Sequence, residues 1–206
     1  MPVFYKPFAK EIECIEKEAA RYSGYRGDSL KDENVELMVK KCCAVIHQAL
    51  MPQAVYEEFD LKMENTADSE KICVQFADIK LLTKDLGFNL KNCRKIIVFA
   101  ATVGPKVDML VRRSQANGSA EAAVMQGTGA MFIESFADKL NKKLCDEALA
   151  RGFKCHPRYS PGYGDVPLEF QKEIFRLLPC EKIGLTLMDS LIMAPEKSVT
   201  AFIGLE

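Results

Sequence analysis

The segment RYSPGYGDVPLEFQ, from Arg158 to Gln171, concentrates the side chains of this sequence best suited to holding a small molecule. Arg158 offers a planar guanidinium fork that matches a carboxylate. Tyr163 adds an aromatic face, which attracts a cation, and a hydroxyl. Pro161 and Pro167 restrict the backbone, whereas Gly162 and Gly164 permit positive φ or the close approach of a ligand. Loops that carry such groups on a rigid scaffold often bind ligands. On pattern alone the plainer reading, a structural loop with a surface arginine, leads.

Metal chemistry has little support. The eight cysteines include no C-x-x-C pair, and there are only two histidines, His47 and His156. Most cysteines sit in apolar patterns, such as Cys73 in KICVQF and Cys145 in NKKLCDEAL, which predicts small buried hydrophobes with reduced thiols. Cys42 and Cys43 are adjacent, and neighbours on a helix diverge by about 100°. Neither histidine stands in an Asp-x-His-x-x-Gly setting: His47 precedes Gln-Ala-Leu and His156 precedes Pro157. VFAATVGP at 98–105 lacks the G-x-G-x-x-G of a dinucleotide-type turn.

The elements that must position the loop follow from periodicity. The chain has 206 residues, 48% hydrophobic and 28% charged, with a formal charge of −1, the profile of one soluble domain spanning 1–206. No strong field favours nucleic acid. No apolar run nears the ~18 residues that cross a bilayer, and the N-terminus meets acidic residues at once, which predicts a cytoplasmic chain.

Helices are expected over 7–20 and 32–50, the second ended by Pro52. Alternation in VYEEFDLKM (55–63) and in KICVQFA (71–77) predicts a hairpin joined by a polar turn at 64–70. A short helix at 78–87 closed by Gly87 follows. The continuous apolar run KIIVFAATVG, 95–104, reads as a central strand. Pro105 opens a helix to 116, NGS at 117–119 turns, and the longest helix covers 119–151, ending at Gly152. Gly127 and Gly129 inside it imply close packing or an approaching ligand. The loop at 155–166, a helix at 167–178 and strands near 182–188 and 198–204 complete an α+β fold, a mainly antiparallel sheet packed with helices.

RYSPGYGDVPLEFQKEIFRLL followed by IGLTLMDSLIMAPEKSVTAFIG resembles the activation domain of cobalamin-dependent methionine synthase. That family carries Arg-x-x-x-Gly-Tyr, then a helix, Gly-x-x-Leu-x-x-Ser and Pro-x-x-Ser-Val. Here these stand as Arg158, Gly162 and Tyr163; Gly184, Leu187 and Ser190; and Pro195, Ser198 and Val199. Its Glu-x-Phe-Ala pattern on the preceding helix is matched by Glu134, Phe136 and Ala137. The resemblance spans roughly 130–204. It departs from the family at three points: the chain has no tryptophan for the family's N-terminal Asp-Trp segment, Phe202 stands in the last strand where a tyrosine is usual, and Gly164-Asp165 replaces Pro-Ala.

The resemblance implies an activation-domain-like fold and a site for S-adenosylmethionine. Arg158 would pair with the ligand carboxylate and Glu134 with its ammonium or ribose hydroxyls. Tyr163 would lie near the sulfonium or adenosine, and Tyr159, Ser160, Pro161, Gly162 and Gly164 would flank adenine and ribose. The implied function is reductive reactivation, in trans, of the cobalamin of a methionine synthase or another corrinoid protein. Cobalamin would be met only through that partner, and a flavodoxin- or ferredoxin-type protein would supply the electron. Two alternatives stand beside it: a non-catalytic module that docks on a cobalamin protein without binding S-adenosylmethionine, and an unrelated methyltransferase.

Overall fold

The computed structural model describes residues 1–27, 32–66, 70–116 and 120–206. The expected turn at 117–119 and residues 67–69 of that expected at 64–70 lie outside them. The chain opens with β1 (Val3–Tyr5), then a 3-10 turn (Ala9–Glu11), α1 (Glu16–Tyr22) and α2 (Glu33–Ala49). β2 (Gln53–Asn65), β3 (Ile72–Phe76), β4 (Ile79–Thr83), α3 (Asp85–Asn89) and β5 (Lys95–Thr102) follow. The second half holds α4 (Pro105–Gln115), α5 (Ala120–Leu149), α6 (Gln171–Leu177), two-residue strands β6 (Thr186–Leu187) and β7 (Met193–Ala194), and β8 (Ser198–Leu205).

The main sheet runs β4-β3-β2-β5-β8, with β1 also on β2, and every pairing is antiparallel. β5 is buried from Ile96 through Thr102, the consequence of its unbroken apolar run. One sheet face packs on α1, α2, α4 and α5, with Ile97, Phe99, Ala201 and Ile203 pointing that way. The other carries Val98, Ala100 and Phe202 against α3, α6 and the chain around Ile183. Each large side chain buried in these layers contributes about 1.5–3 kcal/mol. The expected mainly antiparallel α+β arrangement is thus present, with helices on both faces.

Several elements depart from expectation. Residues 79–83 form a strand, since Phe76 and Ile79 pair across a tight turn. Ala77 takes φ +49 there, a conformation that alanine does not advertise in sequence. Gly87 lies inside α3, where an added Cβ would press on Ile72. The expected first helix is split between the 3-10 turn and α1, because the Glu11 carboxylate accepts the Phe8 N–H at 2.8 Å and closes a separate turn. At 182–188 a 3-10 turn (Cys180–Ile183) ends at Gly184 (φ +71), leaving only β6. In α5, Gly127 accommodates Ser23 and Gly129 the stem of Lys197, so both glycines serve helix packing.

Candidate functional site

β8 is the sheet's edge strand, and the first leg of the 155–166 loop completes that edge. Tyr159 exchanges both backbone hydrogen bonds with Phe202, at 3.0 and 2.7 Å, and the His156 N–H donates to the Gly204 carbonyl at 2.9 Å. Outward groups on an edge strand recur every second residue. The next outward amide and carbonyl therefore belong to Thr200. There the loop has already turned away, and among the described residues no backbone group meets them. The gap is a cavity of ≈ 410 Å³ lined by Glu134, Arg158, Tyr159, Ser160, Pro161, Tyr163, Gln171, Met193, Ser198, Val199 and Thr200.

Internal bonds hold the loop in shape. The Tyr159 hydroxyl donates to the Tyr163 carbonyl at 2.9 Å, and the Gly162 N–H to the Val166 carbonyl at 2.9 Å. Gly164 takes φ +51 where an added Cβ would strike Asp85 and the Tyr159 hydroxyl, so only glycine fits without displacement. Asp165 fastens the loop to α3. It accepts from the Thr83 hydroxyl at 2.5 Å and from the N–H groups of Lys84 at 2.6 Å and Asp85 at 3.2 Å. Burial alone would raise this carboxyl's pKa, but the donors from Thr83, Lys84 and Asp85 outweigh it and hold it below the usual range. Burial pushes the Tyr159 phenol up, with Asp85 and Asp165 adding to the effect.

Arg158 reaches to α5. Its Nη2 meets Glu134 at 2.9 Å and Asp138 at 3.3 Å, one helical turn apart. Its Nη1 is buried without a hydrogen-bond partner. A second orphan belongs to another residue that lines the cavity: Gln171 Oε1 is also buried and unpaired. Buried polar atoms are normally satisfied, and each exception needs an explanation. Tyr163, also in the cavity lining, is 69% exposed.

Of the eight sequence-predicted residues, Glu134, Arg158, Tyr159, Ser160, Pro161 and Tyr163 line one cavity, while Gly162 and Gly164 shape the loop behind it. Sequence reasoning missed Asp138, Gln171, Met193 and Thr200. The Pro-x-x-Ser-Val motif was the one signal pointing to Ser198 and Val199. Neither histidine lines the cavity. His156 is held by the Asn89 carbonyl at 2.5 Å and Glu206 at 3.0 Å, and His47 packs on Phe132. Lys197, just before β8, is 8% exposed, and burial pushes its ammonium pKa down.

Among the described residues no cluster of histidine, cysteine and carboxylate side chains is arranged to hold a metal ion, and no helix is long and apolar enough to cross a membrane. All eight cysteines are free thiols. Two pairs unseen in the linear spacing are in contact: Cys14 with Cys43, and Cys145 with Cys155.

No protein-family model matches the chain, and no curated protein matches it. Among solved structures it is similar to the MetH reactivation domain bound to AdoHcy, with a TM-score of 0.67 and 17% sequence identity, covering 99% of this chain and 78% of that one. With its helices and antiparallel sheet, the chain has the fold of the MetH reactivation domain.

Proposed function

We propose that the chain binds S-adenosylmethionine in the cavity beside β8 and serves, in trans, the reductive remethylation of cobalamin carried by a methionine synthase or another corrinoid protein. The observation that carries this reading is a pair of buried, unsatisfied polar atoms, Arg158 Nη1 and Gln171 Oε1, on two side chains that both line one cavity. The likeness to a reactivation domain bound to AdoHcy supports it at the level of fold.

The residues present fit such a ligand. Arg158 Nη1 is a buried cationic donor for its carboxylate, a charge-assisted bond of about 1.5–3 kcal/mol. Glu134 and Asp138 already orient the guanidinium through Nη2 and present carboxylate oxygens for the ligand ammonium. Pro161, Met193 and Val199 give an apolar wall, and the Thr200 edge groups a polar one. Tyr163 is also in the lining, where a sulfonium benefits from an aromatic face. When bound, the ligand supplies a methyl group to reduced cobalt on the partner. The work of this chain is to hold that group in line with the metal, an effect of orientation.

The docking face includes the 158–166 loop. Asp165 acts on that face by holding the loop to α3, since its oxygens are taken by Thr83, Lys84 and Asp85. Low-potential electrons come from a flavodoxin- or ferredoxin-type protein. The alternative, a docking module without a ligand, draws on the Arg158–Glu134 ion pair, which satisfies part of the site internally.

Calorimetric titration separates the two. Saturable one-site binding of S-adenosylmethionine, with weaker binding of S-adenosylhomocysteine, supports the donor role. Absence of binding at millimolar ligand removes that role and leaves the docking module.

A further inference from the structure

The cavity straddles the β8 edge, and its two ends differ in chemistry. On the face covered by α5 stand Glu134 and Asp138, joined to Arg158. On the opposite face stands Gln171, the first residue of α6. The first end is ionic; the second offers an uncharged amide. Gln171 is 7% exposed, yet its Oε1 has no partner. Phe170, immediately before it, is locked edge-on against Phe202 of β8 at 5.6 Å between centroids, which fixes where α6 begins and where the amide lies. A buried, positioned and unsatisfied amide is out of place as a packing residue, because a side chain of similar shape without the polar atoms would fill the same space at lower cost. It is in place as a group awaiting a ligand donor.

A ligand spanning these ends is zwitterionic at one and neutral but hydrogen-bonding at the other. An S-adenosyl amino acid has that form. A carboxamide matches the edge of adenine, accepting from the exocyclic amine and donating to a ring nitrogen. We propose that Gln171 is the specificity-determining residue that reads the adenine amino group. This inference rests on the ligand reading given above and extends it to a residue and an atom.

The test compares S-adenosylhomocysteine with its analogue carrying purine in place of adenine, titrated into the full chain and into Gln171→Met. The two ligands differ only in the amine offered to Oε1. In the unsubstituted protein the analogue should bind roughly 5- to 150-fold more weakly, the range set by leaving a buried acceptor unpaired. In Gln171→Met, S-adenosylhomocysteine should weaken by a comparable factor and the discrimination should shrink to about two-fold or less. The melting temperature of the unliganded variant should be unchanged or higher, which separates loss of recognition from loss of fold. Gln171→Leu provides a second shape should the methionine variant fold poorly. If S-adenosylhomocysteine binds but either folded variant discriminates as the parent does, the assignment of Gln171 is wrong while the ligand reading stands. If neither ligand binds the parent, both fall.

Discussion

Arg158 and Glu134 lie 24 residues apart in the chain and meet at 2.9 Å through one guanidinium nitrogen, while the other, Nη1, is buried with nothing to bond. Half of the fork is thus fixed by the protein and half is left for something else. Pre-setting the guanidinium lowers the ordering cost when a carboxylate arrives. The expected consequence is that Arg158→Ala weakens S-adenosylmethionine binding by about 1.5–3 kcal/mol. Calorimetry checks it, and equal affinity in parent and variant would remove Arg158 from the site.

The anchor between the loop and α3 should be visible in acid. Asp165 has a carboxyl held below its usual range. Its stabilising contribution is therefore complete above the unfolded value of ~3.9 and fades as pH falls through the lower folded value. Asp165→Ala should cost about 0.5–2 kcal/mol near neutrality, the worth of a capping carboxylate. The gap between parent and variant should narrow below about pH 4. Urea titrations at several pH values measure it; a gap that widens in acid would contradict the assignment.

The cysteines should remain eight reduced thiols without zinc. Burial pushes Cys42 and Cys93 up to about 11 and Cys180 up to about 12, which keeps them protonated and slow. Thiol titration of the native protein should therefore leave these three unreacted while exposed Cys14 is labelled. The denatured protein should yield all eight. Stoichiometric zinc in untagged protein, or a shortfall of thiols after denaturation, would overturn this.

What the sequence disclosed and what it hid divide along physical lines. β5 was legible because a strand buried on both faces must be apolar throughout, and α2 because its apolar residues recur at helical spacing up to Pro52. β4 was hidden because its hairpin turns on Ala77 and Asp78 with no glycine or asparagine to mark it. At the site, Arg158 and Tyr163 stand out by type among prolines and glycines. Gln171 does not, because a glutamine at a helix start reads as a solvated residue, and only the packing of Phe170 on Phe202 buries it. Thr200 contributes through its backbone, which side-chain type does not reveal. The thiol contacts of Cys14 with Cys43 and Cys145 with Cys155 join separate elements and leave no trace in linear spacing.

The proposed catalysis in trans has a direct assay. Alone, the chain should transfer no methyl group to homocysteine, because neither His47 nor His156 sits in a cobalt-ligating motif. The measurement combines this protein, S-adenosylmethionine, a low-potential reductant and a corrinoid protein in the inactive Co(II) state, and follows the corrin absorbance. Conversion to the methylcobalamin spectrum is expected only when all four components are present, and sharply slower conversion with Arg158→Ala. Persistence of the Co(II) spectrum across a panel of corrinoid partners, with S-adenosylmethionine demonstrably bound, would contradict it.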